Sequence, residues 1–194
     1  MIDSKFLIID DIISLEKQEK IKETLLGNSF PWFYHSDTTY PNKIVANTPI
    51  MGHHYRIDYK TNSDFYNLIE DIGDKGAELY GFDYTDVSQA RSFLQFPLNP
   101  NWRKVFVDTL HCDYHLEHLV VLYYVLDSDG DTIIVNKALE VGEEIAKDLK
   151  YTDYELLHRI TPKQGRAVIF NGKYYHTAEQ PTNNMRCIIN FDIT

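Results

Sequence analysis

His111, Cys112 and Asp113 stand in a row, His176 follows sixty-three positions after Asp113, and Arg186 comes ten beyond that. Two imidazoles and one carboxylate on a rigid mount form a facial triad that suits non-haem Fe(II) and leaves coordination positions open for small ligands. The same donors also suit zinc, manganese and nickel. A later arginine adds a planar fork of donors able to clamp a carboxylate of an organic co-substrate.

The tripeptide alone carries little information. With eight histidines and eighteen aspartates in 194 residues, roughly one His-x-Asp is expected by chance. Two competitors exist, His35-Ser36-Asp37 and His115-Leu116-Glu117. Context separates them, because metal ligands need a rigid mount and a distal partner. His115, His118 and His158 read as structural or solvated imidazoles.

His111 ends the run Val105 to Leu110, whose alternation predicts a strand. On extended backbone His111 and Asp113 project to one side. Leu119 to Leu126 is apolar on both faces, as a fully buried strand should be. Asp127 to Thr132 supplies turn chemistry, and Ile133-Ile134-Val135 is expected to return as the hairpin partner. Pro162 to Gly165 is a turn, Arg166 to Phe170 a strand, and Asn171-Gly172 a second turn before His176. From Met185 to Ile193 the odd positions are all apolar, while Arg186 and Asn190 share the other face with Ile188 and Asp192. Such a strand predicts a barrel wall with its greasy side on helices and its arginine in a pocket.

The stretch from His111 to Asp192 resembles the double-stranded β-helix core of the 2-oxoglutarate and Fe(II)-dependent dioxygenases, in the branch around prolyl 4-hydroxylases. Phe6 to Asp11 matches more loosely, and the small size is similar to that of bacteriophage members. The resemblance implies a mainly β fold with flanking helices (α+β), a double-stranded β-helix or jelly-roll core, and helices packed on the larger sheet. It implies His111, Asp113 and His176 as iron ligands, and Arg186 and Tyr124 as partners of the far carboxylate of 2-oxoglutarate. It further implies O2 as oxidant, with succinate and CO2 released as a C-H bond of a small molecule or of a peptide or protein side chain is hydroxylated. Two features depart from the pattern. Asp129-Gly130-Asp131-Thr132 stands where many relatives have Gly-Gly, and a polar insertion lies between Asn136 and Arg159.

Length and composition point to one domain over 1–194, with helical support over roughly 1–86 and the barrel core over roughly 87–194. Ser14 is a candidate N-cap for a helix from Leu15 to Leu26. Phe65, Leu68, Ile69 and Ile72 give the stripe of a second helix from near Ser63 to Gly81. Val87 to Leu98 reads as a strand feeding the barrel, and both helices are placed on the outer face of the larger sheet. His53-His54 and Phe30 to His35 read as loop and core residues.

No apolar run approaches the ~20 residues that span a bilayer, and the N-terminus lacks a signal-peptide layout, so a cytoplasmic setting is expected. Cys112 and Cys187 fit reduced, buried thiols pointing away from the pocket. A net charge of -10 opposes nucleic-acid binding at long range, and Arg91, Arg103 and Lys104 are expected to form a solvated strand edge. The insertion and the stretch Phe30 to Tyr40 are expected to border the pocket mouth. Three functions stay open: a hydroxylase, a nucleobase oxidative demethylase of the same superfamily, and a non-catalytic β-helix module. The oligomeric state is left open by the sequence.

Overall fold

The computed structural model describes residues 5–36, 48–99, 101, 107–140, 142–146 and 149–194. Strands β1 (Phe6–Ile9), β2 (Phe33–His35), β3 (Ile50–Ile57), β4 (Lys60–Thr61), β5 (Val87–Gln95), β6 (Leu119–Tyr124), β7 (Thr132–Ala138), β8 (Leu156–Ile160), β9 (Ala167–Asn171), β10 (Tyr174–Ala178) and β11 (Arg186–Ile193) accompany helices α1 (Leu15–Leu25) and α2 (Glu70–Tyr80). The larger sheet runs β1-β9-β6-β11-β5-β3-β2, with β4 against β3, and the smaller runs β10-β7-β8. All pairings are antiparallel. The fold is mainly β, a jelly-roll core with helices on the larger sheet.

Alternation along β11 divides the interior. Cys187, Ile189, Phe191 and Ile193 face the helices with Ile21, Leu25, Ile72 and Ala77. Ile188 faces the other sheet, beside Leu122, Tyr124, Ile134 and Phe170. Both cysteines are buried free thiols in cores away from the cavity between the sheets. No helix among the described residues is long and apolar enough to cross a membrane.

α1 begins where Ser14, in extended conformation, accepts from the Lys17 N–H. The second helical stretch is not continuous. Ser63 caps a 3-10 turn over Asp64–Leu68, Ile69 breaks the helical backbone at φ -122°, and α2 follows to the left-handed Gly81 at φ 75°. Its internal glycines have a packing reason. A Cβ on Gly76 would lie 2.7 Å from the Val121 side chain, and one on Gly73 3.0 Å from the Phe191 ring. Both let the helix approach the sheet closely.

Two expectations about strands are corrected here. Ile133-Ile134-Val135 does not return against β6: the chain crosses to the smaller sheet, where β7 pairs β10 and β8, while β6 is flanked by β11 and β9. Burial on both faces suits either arrangement, so apolarity could not distinguish hairpin from crossover. Of the run Val105 to Leu110, Val105 and Phe106 lie outside the described residues, and Val107 to Leu110 form no regular strand: Val107 bridges Glu179, just past β10, and the following His111 bridges His176 in β10. Between them Thr177 Oγ1 donates to the Asp108 carbonyl at 2.7 Å and His111 Nδ1 meets the Thr109 carbonyl at 3.0 Å. Side chains thus occupy carbonyls that a ladder would need.

Candidate metal and co-substrate site

The paired bridge between His111 and His176 exchanges two backbone hydrogen bonds of 3.0 Å. Directly opposed residues of this kind carry their side chains to the same side, and the two rings lie 4.6 Å apart by centroid. Asp113, two residues on, places Oδ2 3.3 Å from His176 Nε2 and Oδ1 3.9 Å from His111 Nε2. One donor atom from each of the three lies within 4.8 Å of the others. His35 and Asp37 do not join them: His35 sits on β2 beside Gly52 and His54, and Asp37 lies outside the described residues.

The ring orientations suit a metal. His111 Nδ1 faces the Thr109 carbonyl and His176 Nδ1 the Tyr174 carbonyl at 3.1 Å. A carbonyl only accepts, so each Nδ1 must carry the hydrogen and each Nε2 is left as the ligand nitrogen. Burial, with His176 beside it, depresses His111 to about 4. Although burial opposes it, His176 moves upward because the protonated ring, which carries a hydrogen on Nε2 as well, donates to Asp113. Asp113 in turn is held well below the usual carboxylate range, burial being outweighed by Arg91 and the two imidazoles.

Arg186 stands at the other end of the same cavity, which Phe93, Leu122, Thr132 and Ile188 also line. It is 4 % exposed. Its Nε donates to the Gly130 carbonyl at 3.0 Å, Nη1 to Gln95 Oε1 at 3.1 Å and Nη2 to Thr132 Oγ1 at 2.9 Å. All three acceptors are neutral, and two of the five N–H donors of a guanidinium remain. Burial pulls its pKa down. Tyr124 lies beneath the guanidinium and donates to Thr132 Oγ1 at 2.7 Å. Burial pushes its hydroxyl up to about 12, so it stays a neutral donor.

The turn before Thr132 sets this end. Asp129 accepts from the backbone N–H groups of Thr182, Asn183 and Asn184, the residues leading into β11. A Cβ on Gly130 would lie 2.7 Å from the Glu179 carbonyl and 3.1 Å from Arg186 Cδ. Gly130 thus serves the close approach and Asp129 ties the two segments together.

Several of the other singled-out residues lie elsewhere than expected, and some lie as expected. Neither the insertion nor the Phe30 to Tyr40 stretch lines the cavity within the described residues. Phe30 is buried against the helices, and Ile145, Ala146, Leu149, Tyr151 and Tyr154 cover the outer side of the smaller sheet; Tyr40 and Asp148 lie outside the described residues. Apolar residues spaced through the acidic run, rather than its charge, decide its place. Arg91 is not a solvated edge: its Nη2 lies 3.0 Å from Asp113 Oδ1 and 2.7 Å from Asp192 Oδ2, while Arg103 and Lys104 lie outside the described residues. His53-His54 belongs to a strand, β3, with His53 packed among Phe30, Tyr55 and Phe65. His118 is buried with Nδ1 on the Leu116 carbonyl, and His158 tilts against Phe6.

Gln95, Thr132, Asn190 and Asp192 were not singled out as site residues. The alternation of β5 was available as a signal, since it puts Gln89, Arg91, Phe93 and Gln95 on one face.

No family model and no curated protein sequence matches the chain. Solved structures do. A 2OG-Fe(II) oxygenase family oxidoreductase from Burkholderia pseudomallei superposes with a TM-score of 0.68 at 9% identity, over 97% of this chain and 84% of that one. A prolyl hydroxylase from Trichoplax adhaerens, in complex with a hypoxia inducible factor peptide, gives 0.61 at 13%, over 97% and 82%. The viral collagen prolyl hydroxylase of Paramecium Bursaria Chlorella virus-1, in its 2OG complex, gives 0.55 at 14%, over 100% and 98%. The fold is the one these oxygenases have.

Proposed function

We propose that residues 1–194 form one oxygenase domain that uses Fe(II) and 2-oxoglutarate to hydroxylate an unactivated C-H bond of a small molecule or peptide. The observation that carries this reading is Arg186: a buried guanidinium bonded to neutral acceptors, in the cavity that also holds three convergent metal donors. A buried charge is costly unless it is paired, and the far carboxylate of a dicarboxylic 2-oxo acid is the partner that suits this position.

His111 Nε2, His176 Nε2 and an Asp113 oxygen would hold the metal. Bound there, Fe(II) supplies oxygen activation coupled to oxidative decarboxylation of 2-oxoglutarate, one oxygen atom going to succinate and the other to the hydroxylated product. The protein contributes orientation and exclusion. Arg186 fixes the far end of the co-substrate through a forked pair of donors. Tyr124 and Gln95 hold Thr132 and the guanidinium in register. Leu122, Ile188 and Phe93 keep the intervening wall apolar, strengthening the carboxylate-arginine contact by removing water.

The substrate class rests on charge and on analogy. An acidic chain repels polyphosphate, and the similar solved structures include one in complex with a peptide and one in complex with nogalamycin RO. The test is succinate formation with Fe(II) and 2-oxoglutarate, with proline-containing peptides added in one series and methylated single-stranded DNA in another. Stimulation by peptide supports a protein hydroxylase. DNA stimulation that weakens with salt would point to a demethylase. Turnover that neither series stimulates favours a small-molecule substrate, and no turnover in any series favours a non-catalytic module.

A further inference from the structure

Asp192 is fully buried, and the function proposed above does not use it. Its surroundings form a closed ring. Arg91 Nη2 donates to Asp113 Oδ1 at 3.0 Å and to Asp192 Oδ2 at 2.7 Å. Asn190 Nδ2 donates to Asp113 Oδ2 at 3.2 Å and to Asp192 Oδ1 at 3.2 Å. Each carboxylate therefore accepts one hydrogen bond from each donor. The register explains the closure, because Asn190 and Arg91 are direct partners across β11 and β5.

The arrangement raises an electrostatic question. A guanidinium bonded to a metal-ligating carboxylate orients it but also competes with the metal for its charge. Arg91 and Asp113 alone would sum to zero, leaving an incoming cation no net attraction. With Asp192 in the ring the sum is one negative charge, and Arg91 is shared between two anions.

We propose that Asp192 is a positioning residue of the metal centre, a buried counter-anion that engages Arg91 so that Arg91 and Asn190 can fix Asp113 while its charge stays available to a divalent metal. Asp192 does not ligate; it acts through Arg91. The inference rests on the metal reading of the triad given above, and the two can fail separately.

The test is divalent-metal affinity of the intact chain at neutral pH, titrated anaerobically with Fe(II) and independently with Co(II), whose visible spectrum reports ligand geometry. Asp192→Asn turns the ring neutral and should weaken binding of both metals roughly 10–100-fold, with a changed Co(II) spectrum. Arg91→Lys should bind within a few-fold of the wild type, because a single nitrogen makes both ionic contacts. The double variant Arg91→Met/Asp192→Asn restores one net negative charge and should recover most of the affinity lost in Asp192→Asn. Removing one partner of a buried pair can prevent folding where removing both is tolerated. If Asp192→Asn does not fold, the double variant carries the test, and affinity within about tenfold of the wild type is the expected result. Wild-type affinity in Asp192→Asn overturns the proposal, as does a folded double variant that binds no better than Asp192→Asn or more than about a hundredfold below wild type. If the unaltered protein binds neither metal, the triad reading itself fails.

Discussion

Arg91 and Arg186 project from neighbouring strands to the same side of the larger sheet, and their partners differ in one respect. Arg91 is bonded to two carboxylates. Arg186, more deeply buried, is bonded to a carbonyl, an amide and a hydroxyl, with no carboxylate among its hydrogen-bond partners in the described residues. A cation hydrogen-bonded to two carboxylates is a structural and electrostatic fixture, whereas one whose hydrogen bonds all go to neutral groups, with the Asp108 and Asp131 carboxylates acting on it only from beyond hydrogen-bond contact, keeps donors for an anion from outside. On the proposed function, the contrast separates the two ends of the cavity, one for a metal and one for a carboxylate.

The contrast should be largest in the stability of the ligand-free protein. Arg91→Met leaves Asp113 and Asp192 facing each other unpaired and should cost about 3–5 kcal/mol. Arg186→Met strands only neutral acceptors, for about 1–3 kcal/mol. Urea unfolding of both variants measures the difference, and a larger loss in Arg186→Met would break the distinction.

With co-substrate present the order reverses. Arg186→Lys keeps the charge but replaces the fork with a point donor, and 2-oxoglutarate affinity should fall roughly 10–100-fold, about 1.4–2.8 kcal/mol. Arg91→Lys should change it far less. Anaerobic titration of the Fe(II)-loaded proteins gives both values.

Asp129 sharpens the account of how Arg186 is aimed. Although burial opposes it, the Thr182 hydroxyl and the N–H groups of residues 182–184 hold its carboxyl far below the usual range. Because the native pKa is depressed, its stabilisation is present above the unfolded value, ~3.9, and is lost as pH falls through the native one. Asp129→Asn should therefore destabilise by about 1–2 kcal/mol at neutral pH, and its gap to the wild type should close in acid. A gap independent of pH would mean that the charge of Asp129 does not matter. Tyr124→Phe should have the smallest effect, about 0.5–1.5 kcal/mol of co-substrate binding, because the hydroxyl acts through Thr132.

The parts that were legible in the sequence are those whose pattern has one structural solution. The alternation of β11 fixed which residues face the helices and which face the cavity, and the spacing of His111, Asp113 and His176 survived as a cluster. The capped ends of the helical segments, at Ser14, Ser63 and Gly81, were also readable. What was hidden depended on partners remote in sequence. Whether β7 pairs β6 or crosses to the other sheet is not encoded in a run that is apolar on both faces. Arg91 looked like an edge cation beside Arg103 and Lys104 because its carboxylate partners are remote, 22 and 101 residues away. The segment 139–154 misled because its charges dominate its composition, while Ile145, Leu149 and Tyr151 decide where it packs.

The claim that Arg186 reads the far carboxylate can be tested with one double comparison. Fe(II)-loaded wild type and Arg186→Lys would each be titrated anaerobically with 2-oxoglutarate and with 2-oxopentanoate, which lacks that carboxylate and ends in a methyl group. The wild type should prefer 2-oxoglutarate by a factor of at least roughly ten, and most of the preference should disappear in Arg186→Lys. Equal binding of the two acids by the wild type, or a preference undiminished in the variant, would contradict the claim.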